Sequence, residues 1–186
     1  MSFYNLGDWR DVALYDNLIE ESRVNGFWIG ILSKVFPAPD YFIDAEARFQ
    51  NTSRVDLIVK KLDWDGLTPI YTPIIIFEGK GASKSNAEKI RGQLGKYTED
   101  VEASNKQFSV WCIGAMGRKA YFYHYKRGDE TDLKPVSVGA FTDGSPDVKA
   151  QWKSMDAPGY DLGKNFVHIA NILHHIYRGS GPRYFM

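Results

Sequence analysis

Asp56, Glu78 and Lys80 are the residues of this chain whose types and spacing could do chemistry. Glu78 and Lys80 interrupt the run Pro73-Ile-Ile-Ile-Phe-Glu-Gly-Lys80, which otherwise reads as a central strand covered on both faces. Side chains alternate along a strand, so these two share one face. Asp56 lies in Arg54-Val-Asp-Leu-Ile-Val59, again an acid amid aliphatics. Burying a lone carboxylate or ammonium costs on the order of several kcal/mol unless it is paired or bound to a metal. If the two runs pair as neighbours, two carboxylates and an ammonium converge at one end of a sheet. That grouping suits a divalent cation and a phosphate; its bland alternative is an ion pair kept for packing.

A second group lies on a helical stretch. Gln93 and Tyr97 are four residues apart and project from nearly the same face. Tyr97 also completes an apolar stripe, so packing is its competing role. Lys84, Lys89, Arg91 and Lys96 give the same stretch a basic surface, either a track for a phosphate backbone or a solvated helix face. Asp44 and Glu46 read as the polar face of an edge strand, and Tyr121, Phe122, Tyr123 and Tyr125 as sheet packing rather than base-stacking platforms. His168, His174 and His175 lack an acid or cysteine at zinc spacing.

The elements that must position these groups follow from periodicity. Val24, Phe27, Trp28, Ile31 and Val35 form a helical stripe, with Asp11 or Asp16 as candidate N-caps; Asn25-Gly26 is a turn signal that could divide it, and Pro37-Ala-Pro39 ends it. Tyr41 to Phe49 alternates as a half-exposed strand, Asn51-Thr-Ser53 turns the chain into the Asp56 strand, and Asp63-Trp-Asp-Gly66 turns it into the Glu78 strand. Ser85-Asn-Ala-Glu88 is a capping box, followed by Ala87, Ile90, Leu94, Tyr97 and Val101 on one helix face. Gly92 and Gly95 inside that helix each cost about 1 kcal/mol relative to alanine, which predicts a close backbone approach to a strand or ligand. Phe108 to Ile113 and Lys119 to Tyr125 read as a hairpin, Lys126 to Gly163 as loops or short irregular elements, and Phe166, Ile169, Ile172, Leu173 and Ile176 as a terminal helix.

The order Asp56, then Glu78-Gly79-Lys80, then Gln93-Leu-Gly-Lys-Tyr97 resembles the PD-(D/E)XK nuclease superfamily, and the Gln-x-x-x-Tyr element its RecB-like and type I restriction amino-terminal branch. Val55 stands where the superfamily name has proline. The resemblance covers roughly Glu20 to Tyr125. It implies an α/β (α+β) fold, a restriction endonuclease-like mixed sheet flanked by helices on both faces, in the order αβββαββ plus a C-terminal helix, with the acids where the second and third strands diverge. It also implies Mg²⁺ or Mn²⁺ held by Asp56, Glu78, the Gly79 carbonyl and an acid of the first helix, for which Glu21 matches better than Glu20. The implied catalytic residues are Asp56, Glu78, Lys80, Gln93 and Tyr97, with Lys84, Lys89, Arg91 and Lys96 on the nucleic acid. The implied substrate is DNA, with RNA the alternative; a homodimer through a hairpin or the terminal helix is compatible with it. The competing expectations are a catalytically inactive module of that fold, binding nucleic acid or a protein, and an unrelated α+β interaction domain in which Asp56 and Glu78 lie far apart.

Composition narrows the classes. At 186 residues the chain has a one-domain length, and 44% hydrophobic content excludes global disorder. The 23 basic and 23 acidic residues cancel, so a long duplex gripped through many phosphates is not expected; a local basic groove is. A lone cysteine, Cys112, excludes an internal disulfide and fits a reducing compartment. With neither a signal peptide nor a membrane-length apolar run, the expected location is intracellular, in cytoplasm or nucleus.

Overall fold

A computed structural model describes residues 9–48, 54–82, 87–102, 109–127, 133–138, 148–150 and 157–179. Lys84, Ser85 and Asn86 of the capping box, Phe49, the Asn51-Thr-Ser53 turn and Phe108 lie outside the described residues.

Two helices, α1 (Trp9–Asp16) and α2 (Glu21–Val35), precede the meander β1 (Tyr41–Arg48), β2 (Arg54–Asp65) and β3 (Thr68–Lys80). Helix α3 (Ala87–Glu102) leads to β4 (Ser109–Met116) and β5 (Lys119–Lys126). Short strands β6 (Lys134–Val138), β7 (Val148–Ala150) and β8 (Tyr160–Asp161) precede α4 (Phe166–Gly179). The protein is thus a mixed α/β structure, its strands ordered β1 to β7 with β8 on β5. Strands β3 and β4 pair in parallel and the other described pairs are antiparallel. A parallel pair cannot be joined by a hairpin, which is why α3 intervenes there.

Two apolar cores lie on the two faces. Val24, Trp28 and Ile31 of α2 and Ile169, Ile172 and Ile176 of α4 share one with Leu57, Val59, Ile75 and Phe77. Ile90, Leu94 and Tyr97 of α3 share the other with Ile58, Ile76 and Cys112. The alternation of Ile75 and Phe77 against Ile76 along β3 is the sequence cause: a strand apolar on both faces requires a helix on each. Gly114 of β4 lets α3 come close, since a Cβ there would overlap the Ile90 side chain.

The β2–β3 ribbon turns at Gly66, whose φ of 60° suits glycine, and carries a bulge at Val59/Lys60. At its outer end Phe42, Trp64 and Tyr71 are exposed, with the Phe42 and Tyr71 rings 6.0 Å apart. Edge strand β1 uses its acids structurally: Asp44 pairs with Lys60 at 2.5 Å and Glu46 with Arg54.

Four sequence expectations are corrected. The first helical region divides at residues 17–20, not at Asn25-Gly26, which lies inside α2; Glu20 is the N-cap residue of α2, and Asp16 ends α1 and pairs with Arg118. The turn propensity of Asn25-Gly26 is overridden by the buried stripe on either side of it. Gly92 and Gly95 make no close approach, for a Cβ at either would meet nothing within 4 Å. The stretch from Lys126 to Gly163 contains β6, β7 and β8, whose pairing with β5 and with each other is long-range and so leaves little local signal. The element order accordingly departs from αβββαββ, with a helix added before it and three short strands after β5.

Candidate active site

The β2–β3 ladder runs from Asp65↔Thr68 to Leu57↔Phe77 and stops there. Asp56 and Glu78 are the next residues on each strand, so both stand where the strands part. Strand β4 continues beside β3, setting Glu78 opposite Gly114 and Lys80 opposite Met116. Backbone groups freed at such a parting need partners: the Gly79 amide donates to Asp56 Oδ2 at 2.8 Å. Lys80 Nζ lies 2.6 Å from Glu78 Oε1 and 3.4 Å from Glu21 Oε1 of α2. From α3, the Tyr97 hydroxyl hydrogen-bonds Glu78 and accepts from Gln93. The structure therefore gathers Asp56, Glu78, Lys80, Glu21, Gln93 and Tyr97 at one end of the sheet, between α2 and α3. Glu20 points elsewhere, 3.7 Å from Arg23. The distant acids expected of an unrelated interaction domain are not what the chain has.

Burial dominates the electrostatics. Glu78 is 1% exposed, and desolvation pushes its carboxyl up to about 7; the Asp56 charge adds to that, while hydrogen bonds from Lys80 and Tyr97 oppose it. Asp56 is also raised by desolvation, against the lowering effects of the Gly79 N–H, Lys80 and Asn25. Desolvation works against the Lys80 charge, but Glu78, Asp56 and Glu21 together outweigh it, so the ammonium is held more firmly than usual. Tyr97 is raised by burial and by the Glu78 charge and stays a neutral hydroxyl at physiological pH.

The donor set suits a small hard cation. Glu78 Oε2 is buried with no hydrogen-bond partner, and Mg²⁺ is held by one or two carboxylates, keeping several waters, rather than by an all-protein cage. Asp56 and Glu78 meet that demand. Among the described residues no three of His, Cys, Asp and Glu gather at metal-ligating spacing, and the described contact of Glu21 is with Lys80. On α3, Lys89 and Lys96 are exposed and Arg91 is half-buried. His168 stacks on Tyr160 and His175 meets Trp111 edge-on, which are packing roles. A cleft of about 670 Å³ between α1 and α2, lined by Leu14, Leu18 and Phe27 among others, contains none of the site acids.

Three residues of the site went unread in the sequence. Asn25 hydrogen-bonds Asp56; it lies one helical turn after Glu21, and that spacing is the signal that could have found it. Gly81 admits the α1–α2 link, because a Cβ there would overlap the Ile19 carbonyl oxygen, which accepts from Ala82 N at 3.0 Å. Gly117, with φ 54°, donates its amide to Lys80 O at 3.0 Å. Nothing short-range announces either glycine contact.

No family model matches this chain, and neither a curated protein nor a solved structure matches it.

Proposed function

We propose that this protein is a divalent-metal-dependent nuclease of PD-(D/E)XK type, with a restriction endonuclease-like fold, hydrolysing phosphodiester bonds of DNA, with RNA the alternative substrate. The observation that carries the reading is the convergence of Asp56, Glu78 and Lys80 where β2 and β3 part. Three charges on two apolar strands are costly to retain for packing alone.

A bound Mg²⁺ or Mn²⁺ supplies an acidified water and offsets charge on the phosphate. Asp56 and Glu78 would hold it, with the Gly79 carbonyl and Glu21 as the further ligands the resemblance offers. Lys80, kept as an ammonium, donates hydrogen bonds to the negative charge that builds on the phosphoryl oxygens. Tyr97 orients Glu78 by hydrogen bond, and Gln93 orients Tyr97 in turn. Lys89, Arg91 and Lys96, joined by Lys84, would take the phosphates flanking the scissile bond. The zero formal net charge, which gives no excess of cations for a nucleic-acid backbone, keeps a second reading in view: a module of the same fold that binds nucleic acid or a protein without cutting.

Cleavage of labelled DNA and RNA in Mn²⁺ separates the two. The nuclease reading expects chelator-sensitive cleavage that falls by a factor on the order of 100 or more in Asp56→Ala and in Lys80→Ala. Equal activity in those variants, or none in the parent protein, removes it.

A further inference from the structure

We propose that Asn25 is a positioning residue for Asp56, clamping its carboxylate against the Gly79 amide, and that glycine stands between Glu78 and Lys80 in order to admit it. The catalytic part of this inference rests on Asp56 being a cation-holding residue.

The geometry is specific. Asn25 follows Glu21 by one turn of α2, so the two side chains reach the same strand end, Glu21 to Lys80 and Asn25 to Asp56. A Cβ at Gly79 would overlap the Asn25 carboxamide oxygen and come within 3.1 Å of the Phe77 ring. Asn25 thus occupies the space of the missing side chain, and any other residue at 79 would expel it. The Gly79 amide and the Asn25 carboxamide then hold one carboxylate between them.

The energetics say why the residue is asparagine. Asn25 Oδ1 is buried with no partner. Leaving a buried polar atom unsatisfied is destabilising, and alanine at this place would avoid that cost. A group kept at that cost is there for its other end, the N–H donor on Asp56. An aspartate of the same shape would lack that donor and add a fourth carboxylate to Asp56, Glu78 and Glu21.

The test uses the full chain with Asn25→Ala, the isosteric Asn25→Asp, and Asp56→Ala as comparator. Hydrogen exchange of the Gly79 amide is followed by NMR, and Mn²⁺ binding by calorimetry at fixed pH. Positioning expects Gly79 to exchange at least about tenfold faster in both Asn25 variants, approaching Asp56→Ala, while Ile75 and Ile76 keep their protection. It expects Mn²⁺ affinity to fall about 10- to 100-fold, as when the support of a ligating side chain is removed. Gly79→Ala should fold poorly alone and be rescued by Asn25→Ala. Parental protection of Gly79 in Asn25→Asp, or a Gly79→Ala protein as stable as the parent, overturns the proposal. If the parent binds no Mn²⁺, the nuclease reading fails, while Gly79 exchange still decides whether Asn25 positions Asp56.

Discussion

Lys80 takes one oxygen of Glu78, at 2.6 Å, and the other, Oε2, is buried without a partner. The pair is therefore half satisfied: the ammonium offsets the charge, yet the carboxyl still sits near neutrality because burial outweighs that help. A second cation at Oε2 would complete the arrangement.

Cation affinity should rise with pH. A Glu78 carboxyl at about 7 makes the proton compete with the metal. Below that pH, Mn²⁺ affinity measured calorimetrically should increase up to about tenfold per pH unit, with proton release visible as a buffer-dependent heat, and level off toward pH 8. Glu78→Gln should bind more weakly and lose most of the dependence.

Stability without metal should run the other way. Raising an acid above its ordinary 4.5 means the folded protein holds the proton more tightly. The contribution is fully present below pH 4.5 and is lost as pH rises through about 7. In chemical denaturation the parent should therefore lose up to about 3 kcal/mol relative to Glu78→Gln between pH 4.5 and 8. A difference between the two proteins that does not change with pH would contradict this.

The Glu78–Lys80 pair should behave as one unit. Lys80→Met removes the ammonium from Glu78 Oε1, leaving a buried carboxylate without its opposite charge, and should destabilise by about 1–3 kcal/mol at pH 8. Added to Glu78→Gln it should cost less than the sum of the two, and denaturation midpoints over the double-mutant cycle measure the shortfall.

Two glycines should respond oppositely to alanine. At Gly81 the new methyl meets the Ile19 backbone carbonyl, which cannot rotate aside, so the protein should lose about 1–3 kcal/mol, and the proposed nuclease activity should drop with the displaced α2. At Gly92 the methyl enters open space on a helix, so the melting temperature should rise in step with a gain of about 1 kcal/mol. Thermal melts of the two variants decide both.

Much of this is legible in the sequence. Charges placed among aliphatics reveal strands that must converge, and a β meander pairs neighbours in sequence, so the approach of Asp56 to Glu78 and Lys80 followed from local pattern. The four-residue spacing of Gln93 and Tyr97 likewise gave their shared face, and the apolar stripe of α4 gave that helix residue for residue. What stayed hidden depends on contacts between distant segments. Asn25 looks like a turn former until Gly79 is seen opposite it. Gly92 and Gly95 look like contact glycines, while Gly79, Gly81 and Gly114 are among those that make close approaches. The strands after β5 are too short to show a period and exist because their partners do.

The most direct measurement is a crystal structure with Mn²⁺ and its anomalous signal. One ion is expected, with oxygens of both Asp56 and Glu78 at about 2.1 Å and Lys80 alongside. An ion bound elsewhere, or no ion at that place under saturating Mn²⁺, would contradict it.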